Sequence, residues 1–234
     1  MPPANREHTV VRVVFVVSVA LTIALYAVPD LRIVAYPLLL LSTLVHEMGH
    51  GLAALAVGGS FTSFEMFSDG SGVAHTTGGD SRLAAAFVAA GGLIGPAVAG
   101  ALSFVAGRRP GSARVFLSVL CLGALVALAL VVRNAFGWVF VGSFALLLGA
   151  LVLKGSPRAS QVLLVFLGTQ LGLSVFSHRH YLFTDTAVIG GEMMPSDVAQ
   201  IANALLLPHW FWGVVCAATS VLALTIGARM LWRA

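Results

Sequence analysis

Two histidines four positions apart flank a glutamate in the run His46-Glu47-Met48-Gly49-His50. The surrounding stretch is apolar without interruption, which predicts a helix, and at about 100° per residue the two imidazoles emerge only ~40° apart on one face. Both can then reach one ion. Glu47 falls roughly 60° from His50 on the adjoining face, close enough to act on a water at the metal without taking a ligand position. Zinc suits such a site, since it needs a third protein ligand and an open position for catalysis. It also brings the pKa of its water to about 7, so that Glu47 can take the proton and pass it to a leaving amine. That is the chemistry of peptide hydrolysis. With seven His and four Glu in 234 residues, a chance His-Glu-x-x-His is expected only about 0.003 times in such a chain. The glycines beside His50, Gly49 and Gly51, leave room for close approach of a neighbouring helix or a substrate backbone.

The elements that must position these groups lie in lipid. The chain is 59% hydrophobic and 9% charged, against about a quarter charged in an ordinary soluble domain. Cut at its charges, glycine clusters and prolines, it yields about seven spans of roughly the 20 residues a bilayer requires. They are Val10 to Val28, Ile33 to Val57, Leu83 to Ala106, Val115 to Val132, Phe136 to Leu153, Val162 to Phe176 and Trp210 to Leu231. The first follows Arg6 and Arg12 but precedes no small-residue cleavage site, so it reads as a retained helix and not a leader. Three ionisable groups inside the second span are costly in lipid and mark function.

Between the second and third spans, Ser60 to Ser68 and Val73 to Thr77 flank Asp69-Gly70-Ser71-Gly72. That pattern predicts a small β-hairpin after the metal-motif helix. The fold class is therefore an all-α integral membrane protein carrying one hairpin, with a single polytopic domain over residues 1–234. Ser177 to Ser196 forms the one long later connection, and a short helix from Asp197 ends near Pro208. Gln170 and Thr169 in the sixth span read as helix-to-helix hydrogen-bonding groups.

The two cysteines, Cys121 and Cys216, fall inside spans and supply no disulfide framework. A net charge of +4 is spread over helix ends and not gathered in one block, which fits membrane flanking and excludes nucleic acid as partner. If all seven spans alternate, one face carries Arg6, Arg12, Arg82, Arg133 and Arg179 and the other the remaining eight Lys and Arg residues. Five against eight favours an external N-terminus.

The His-Glu-x-Gly-His helix, the glycine-bounded hairpin and the run Gly91-Gly92-Leu93-Ile94-Gly95-Pro96 together resemble the site-2 protease clan of intramembrane zinc metalloproteases, in its M50B-like bacterial branch. Arg133-Asn134-Ala135-Phe136-Gly137, Ser196-Asp197-Val198-Ala199, Leu207-Pro208 and Trp212 extend the likeness, which runs from about Leu41 to Trp212. The resemblance implies a multi-pass protein of the cell membrane that uses Zn2+ to cut membrane protein substrates in or near their transmembrane segments. It also implies Glu47 as general base and a distant aspartate as third ligand beside His46 and His50. Asp197 is the best match for that aspartate, although the Leu-Asp-Gly setting of better-known members is missing here.

Other ligands stay open on the residues alone. Asp185 is the other late aspartate, and His178 and His180, two apart on an extended segment, face the same way. Asp197 could equally serve a helix N-terminus behind Ser196 as N-cap. A non-proteolytic membrane metal-binding protein or transporter would also retain such a motif, but no paired broken helices suggest an inverted repeat.

Overall fold

A computed structural model of the chain describes residues 3–78, 81–177 and 182–233. The protein is an all-α membrane protein, with seven helices among the described residues long and apolar enough to cross a bilayer. They are α1 (Pro3–Ala27), α2 (Arg32–Ala56), α3 (Arg82–Ala106), α4 (Pro110–Leu130), α5 (Ala135–Lys154), α6 (Pro157–Ser177) and, after the short α7 (Asp197–Leu205), α8 (His209–Trp232). Helices α4 and α6 start about one turn before the spans drawn at the charges. The reason is local: Pro110 and Pro157 occupy first-turn positions, where a missing N–H costs nothing.

Two antiparallel hairpins accompany the helices. The expected one pairs β1 (Ser60–Met66) with β2 (Gly72–Thr77). It folds back along α2, so that Gly59 N–H bonds the Ala54 carbonyl at 2.9 Å near the helix end. Its turn lies beside the earlier half of α2, where the Tyr36 hydroxyl donates to the Ser68 carbonyl and the Thr43 hydroxyl to that of Gly70, each at 2.7 Å.

The second hairpin, β3 (Thr186–Ile189) with β4 (Glu192–Pro195), was not foreseen in the Ser177 to Ser196 connection. Its two-residue turn, Gly190-Gly191, has both φ positive, the primed geometry that only glycine adopts freely.

Helix α3 is the hub, packing against α2, α6, α7 and α8. It crosses α2 antiparallel at a glycine contact: a Cβ added at Gly49 would strike the Gly91 carbonyl, and one at Gly95 would lie 3.3 Å from the Gly49 Cα. Small residues let backbones meet where dispersion is the main attraction. The α3–α8 pair runs parallel, with Gly227 against Ala101 near the ends and Cys216 clustered with Ala86 and Ala89 near the starts. Helix α6 is the most buried of the seven. Its Gln170 amide does bond another helix, donating to the Tyr26 oxygen at 2.5 Å, whereas Thr169 turns back to its own helix at Val165.

Helix α1 breaks the alternation assumed from sequence. The Arg12 guanidinium, near its start, donates to the Trp232 carbonyl at 3.0 Å and stacks over the Trp232 ring, so α1 begins where α8 ends.

Candidate metal centre

The helical path of α2 carries His46 and His50 to one face, as their spacing requires, and their Nε2 atoms lie 3.1 Å apart. Chain entry into α7 supplies the third group. Ser196 caps that helix by accepting from the Ala199 N–H at 3.2 Å, and its hydroxyl is tied to the Thr184 carbonyl at 2.6 Å. Held this way, Asp197 places Oδ2 at 3.0 Å from His46 Nε2 and 3.4 Å from His50 Nε2.

The three atoms form a triangle with edges of 3.0, 3.1 and 3.4 Å. A tetrahedral zinc with bonds near 2.0–2.1 Å separates its ligand atoms by about 3.3 Å. The triangle matches this spacing, and two imidazoles with one carboxylate are a zinc-type donor set.

Tautomer and orientation are fixed at His50, whose Nδ1 lies 2.8 Å from the Val88 carbonyl on α3. An Nδ1–H donated there leaves the Nε2 lone pair toward Asp197 and His46. The opposite flank of the ring lies against Gly92, where any Cβ would overlap Nε2. Asp197 is 3% exposed. Burial opposes its ionisation, but the two imidazoles that face it prevail and hold the carboxyl well below the usual carboxylate range.

Glu47 sits beside this triangle and outside it. Its side chain is buried, within hydrogen-bonding reach of the Ala74 backbone N–H. It shares with His46 the wall of a cavity of about 350 Å³. Apart from α2, that wall draws on the segment Asp69 to Gly72, on Leu93 and Pro96 of α3, on Ser174 and Val175 of α6, on Leu182 and on Ala187 to Ile189 of β3. The two hairpins close on each other across it, the Gly190 N–H donating to the Ser71 hydroxyl at 3.1 Å.

The other sequence candidates fall elsewhere. Asp185 is exposed at the foot of β3, where its carbonyl accepts from the Ser196 N–H at 3.0 Å. His178 and His180 lie outside the described residues. Among the described residues, His46, His50 and Asp197 form the group of three able to hold a metal ion.

The family's sequence model, described as Peptidase M50B-like, matches residues 14–227. The chain belongs to the M50B-like peptidase family. No curated protein and no solved structure matches it. For an M50B-like peptidase, the arrangement makes the chain a membrane protease with a group of side chains suited to a metal.

Sequence reasoning missed three contributors to this M50B-like site: the Val88 carbonyl, the close fit of Gly92 and the β3 wall. Two of them left a signal: Gly92 stands in the run Gly91 to Pro96 that carries the resemblance, and Thr186-Ala187-Val188-Ile189 before Gly190-Gly191 is a β-prone run followed by a two-residue turn.

Proposed function

We propose that the protein is an intramembrane zinc metalloendopeptidase of the cell membrane, one polytopic domain over residues 1–234, that hydrolyses peptide bonds in or near transmembrane segments of membrane proteins. The observation that carries this reading is the convergence of His46 Nε2, His50 Nε2 and Asp197 Oδ2 beside the buried carboxylate of Glu47. Zinc held by those three atoms would polarise the scissile carbonyl and make a water in its open position acidic.

Glu47 then acts as the base. Its carboxylate takes the proton of the attacking water and returns it to the departing amine. The Ala74 N–H and the packing of β2 against α2 hold that carboxylate at the cavity wall.

A substrate helix must unwind before its carbonyls can be attacked, and a strand edge can hold the unwound segment extended. On β1 the outward edge is already taken: Phe64 N–H donates to the Val131 carbonyl at 2.7 Å, and Arg133 N–H to the Phe64 carbonyl at 3.0 Å. That pairing leaves β2, where Gly72 opposes the outward-facing Met66 in register while the Ala74 N–H on the same edge is held by Glu47. It is β2 that runs past Glu47. The apolar cavity between it and β3 suits a segment taken from a membrane span.

The test is metal analysis of the purified protein together with cleavage of candidate single-span membrane proteins, wild type against Glu47→Gln. Stoichiometric zinc with Glu47-dependent cleavage supports the proposal. Bound zinc without hydrolysis of any such substrate would point instead to a metal-binding membrane protein.

A further inference from the structure

Away from the metal group, where α3 turns into α4 and α5 into α6, we infer that the protein binds an anionic phospholipid, its phosphate held by Arg108, Arg109, Lys154 and Arg158. The inference does not depend on the proteolytic reading.

The two connections are short, and they adjoin. Residues 107–109 join α3 to α4, and residues 155–156 join α5 to α6. The Gln161 amide, early in α6, donates to the Gly107 carbonyl at 2.9 Å, which ties the start of α6 to the finish of α3. The Arg114 guanidinium, early in α4, donates to the Val152 carbonyl in the last turn of α5. Four helix ends are thereby gathered together. Helix α8 finishes beside them with Arg229 and Arg233, since Gly227 packs on Ala101 and Leu231 clusters with Phe104 and Val165.

Arg114 is committed to a carbonyl of its own protein, but its neighbours are not. The side chains of Arg108, Arg109, Lys154 and Arg158 make no hydrogen bond, ion pair or ring contact among the described residues. Nor can the surrounding helices neutralise them, because the chain contains no Asp or Glu between Asp80 and Asp185. Four like charges on adjoining turns repel one another, and an anion shared between them removes that cost.

The surface next to the charges says which kind of anion fits. Leu153, beside Lys154, is 80% exposed, and Val115, near the start of α4, is 65% exposed. Val162, one turn past Arg158, and Leu102, one turn before the finish of α3, are exposed as well. Cations at the ends of spans with apolar side chains directly beyond them match a phospholipid, the phosphate level with the cations and the acyl chains along the helices. A soluble phosphate would use the charge and leave the apolar surface bare.

Native mass spectrometry of the full-length protein in neutral detergent, offered equal phosphatidylglycerol and phosphatidylcholine, tests this without any hydrolysis. Wild type should retain phosphatidylglycerol in preference, and added salt should weaken the preference. Each cation near a phosphate contributes about fivefold in affinity. Arg108→Gln/Arg109→Gln and Lys154→Gln/Arg158→Gln should therefore each bind phosphatidylglycerol about 25-fold more weakly, with phosphatidylcholine binding and helical content by circular dichroism unchanged. Arg82→Gln, which removes a cation engaged with the Asn203 carbonyl, should bind as wild type. Equal retention of the two lipids by wild type would overturn the inference, as would an undiminished preference in both double variants or an equal loss in Arg82→Gln. Displacement of the lipid by inorganic phosphate, beyond that by chloride at the same ionic strength, would overturn it in favour of a simple ion site.

Discussion

Asp197 Oδ2 stands 3.0 Å from His46 Nε2, although one residue opens a short late helix and the other lies deep in the second helix of the chain. Asp197 is buried and His46 half-buried, and no local interaction accounts for the pair. On the proposed function, removing this carboxylate leaves zinc two imidazoles and little else. Asp197→Ala should weaken zinc binding by more than the roughly 10–100-fold typical of an outer-sphere loss and abolish cleavage. Asp185→Ala, at an exposed position whose backbone alone engages Ser196, should leave the zinc bound. Zinc content by atomic absorption decides between them, and the opposite pattern would reassign the third ligand.

Glu47 is beside the triangle and not part of it, so its role separates from metal retention. Glu47→Gln keeps the shape of the side chain and loses the proton acceptor. Zinc content should be unchanged while kcat falls by about 10²–10⁴-fold or more. Full activity in this variant would remove the protease assignment.

At Gly92 a single methyl group meets the imidazole of His50. Gly92→Ala should displace that ring, lowering zinc affinity by about 10-fold or more, with an overpacking cost of about 1–3 kcal/mol. Zinc titration and thermal unfolding in detergent measure the two effects. Wild-type affinity would mean that α2 and α3 can separate without disturbing the ligand.

Asn134 holds the first hairpin to the bundle. Its amide donates to the Met66 carbonyl at 2.6 Å and accepts from the Met66 N–H at 3.2 Å, while also capping α5 through the Gly137 N–H at 3.1 Å. Asn134→Ala should cost about 1–3 kcal/mol by leaving those groups unpaired. Thermal unfolding that matched wild type would show that the edge of β1 is held by the Phe64 pairing alone.

The wall formed by β3 offers a test of substrate holding. The closing pair of the two-residue turn is Ile189 with Glu192, so the next pair, Val188 with Met193, directs the Val188 N–H outward at the cavity. Val188→Pro removes that donor without breaking the hairpin. Cleavage of an extended segment held there should slow severalfold, with zinc content unaltered. An unchanged kcat/KM would take β3 out of substrate recognition.

Much of this was legible in the chain because it depends on local periodicity. The 3.6-residue turn places His46 and His50 on one face wherever the helix goes, and apolar stretches near 20 residues declare their spans without reference to one another. The Asp69-Gly70 turn likewise signals the first hairpin from its own residues. Tertiary structure decided whatever depends on which elements meet. Asp197 reaches the imidazoles because Ser196 and the second hairpin fix the start of α7, and the edge of β1 is closed by Val131 to Asn134, far along the chain. The reach of Arg12 to Trp232 places both termini of the described chain at one end. Helix alternation read from sequence cannot supply that, since hydropathy records how long a helix is and not which neighbour it packs against.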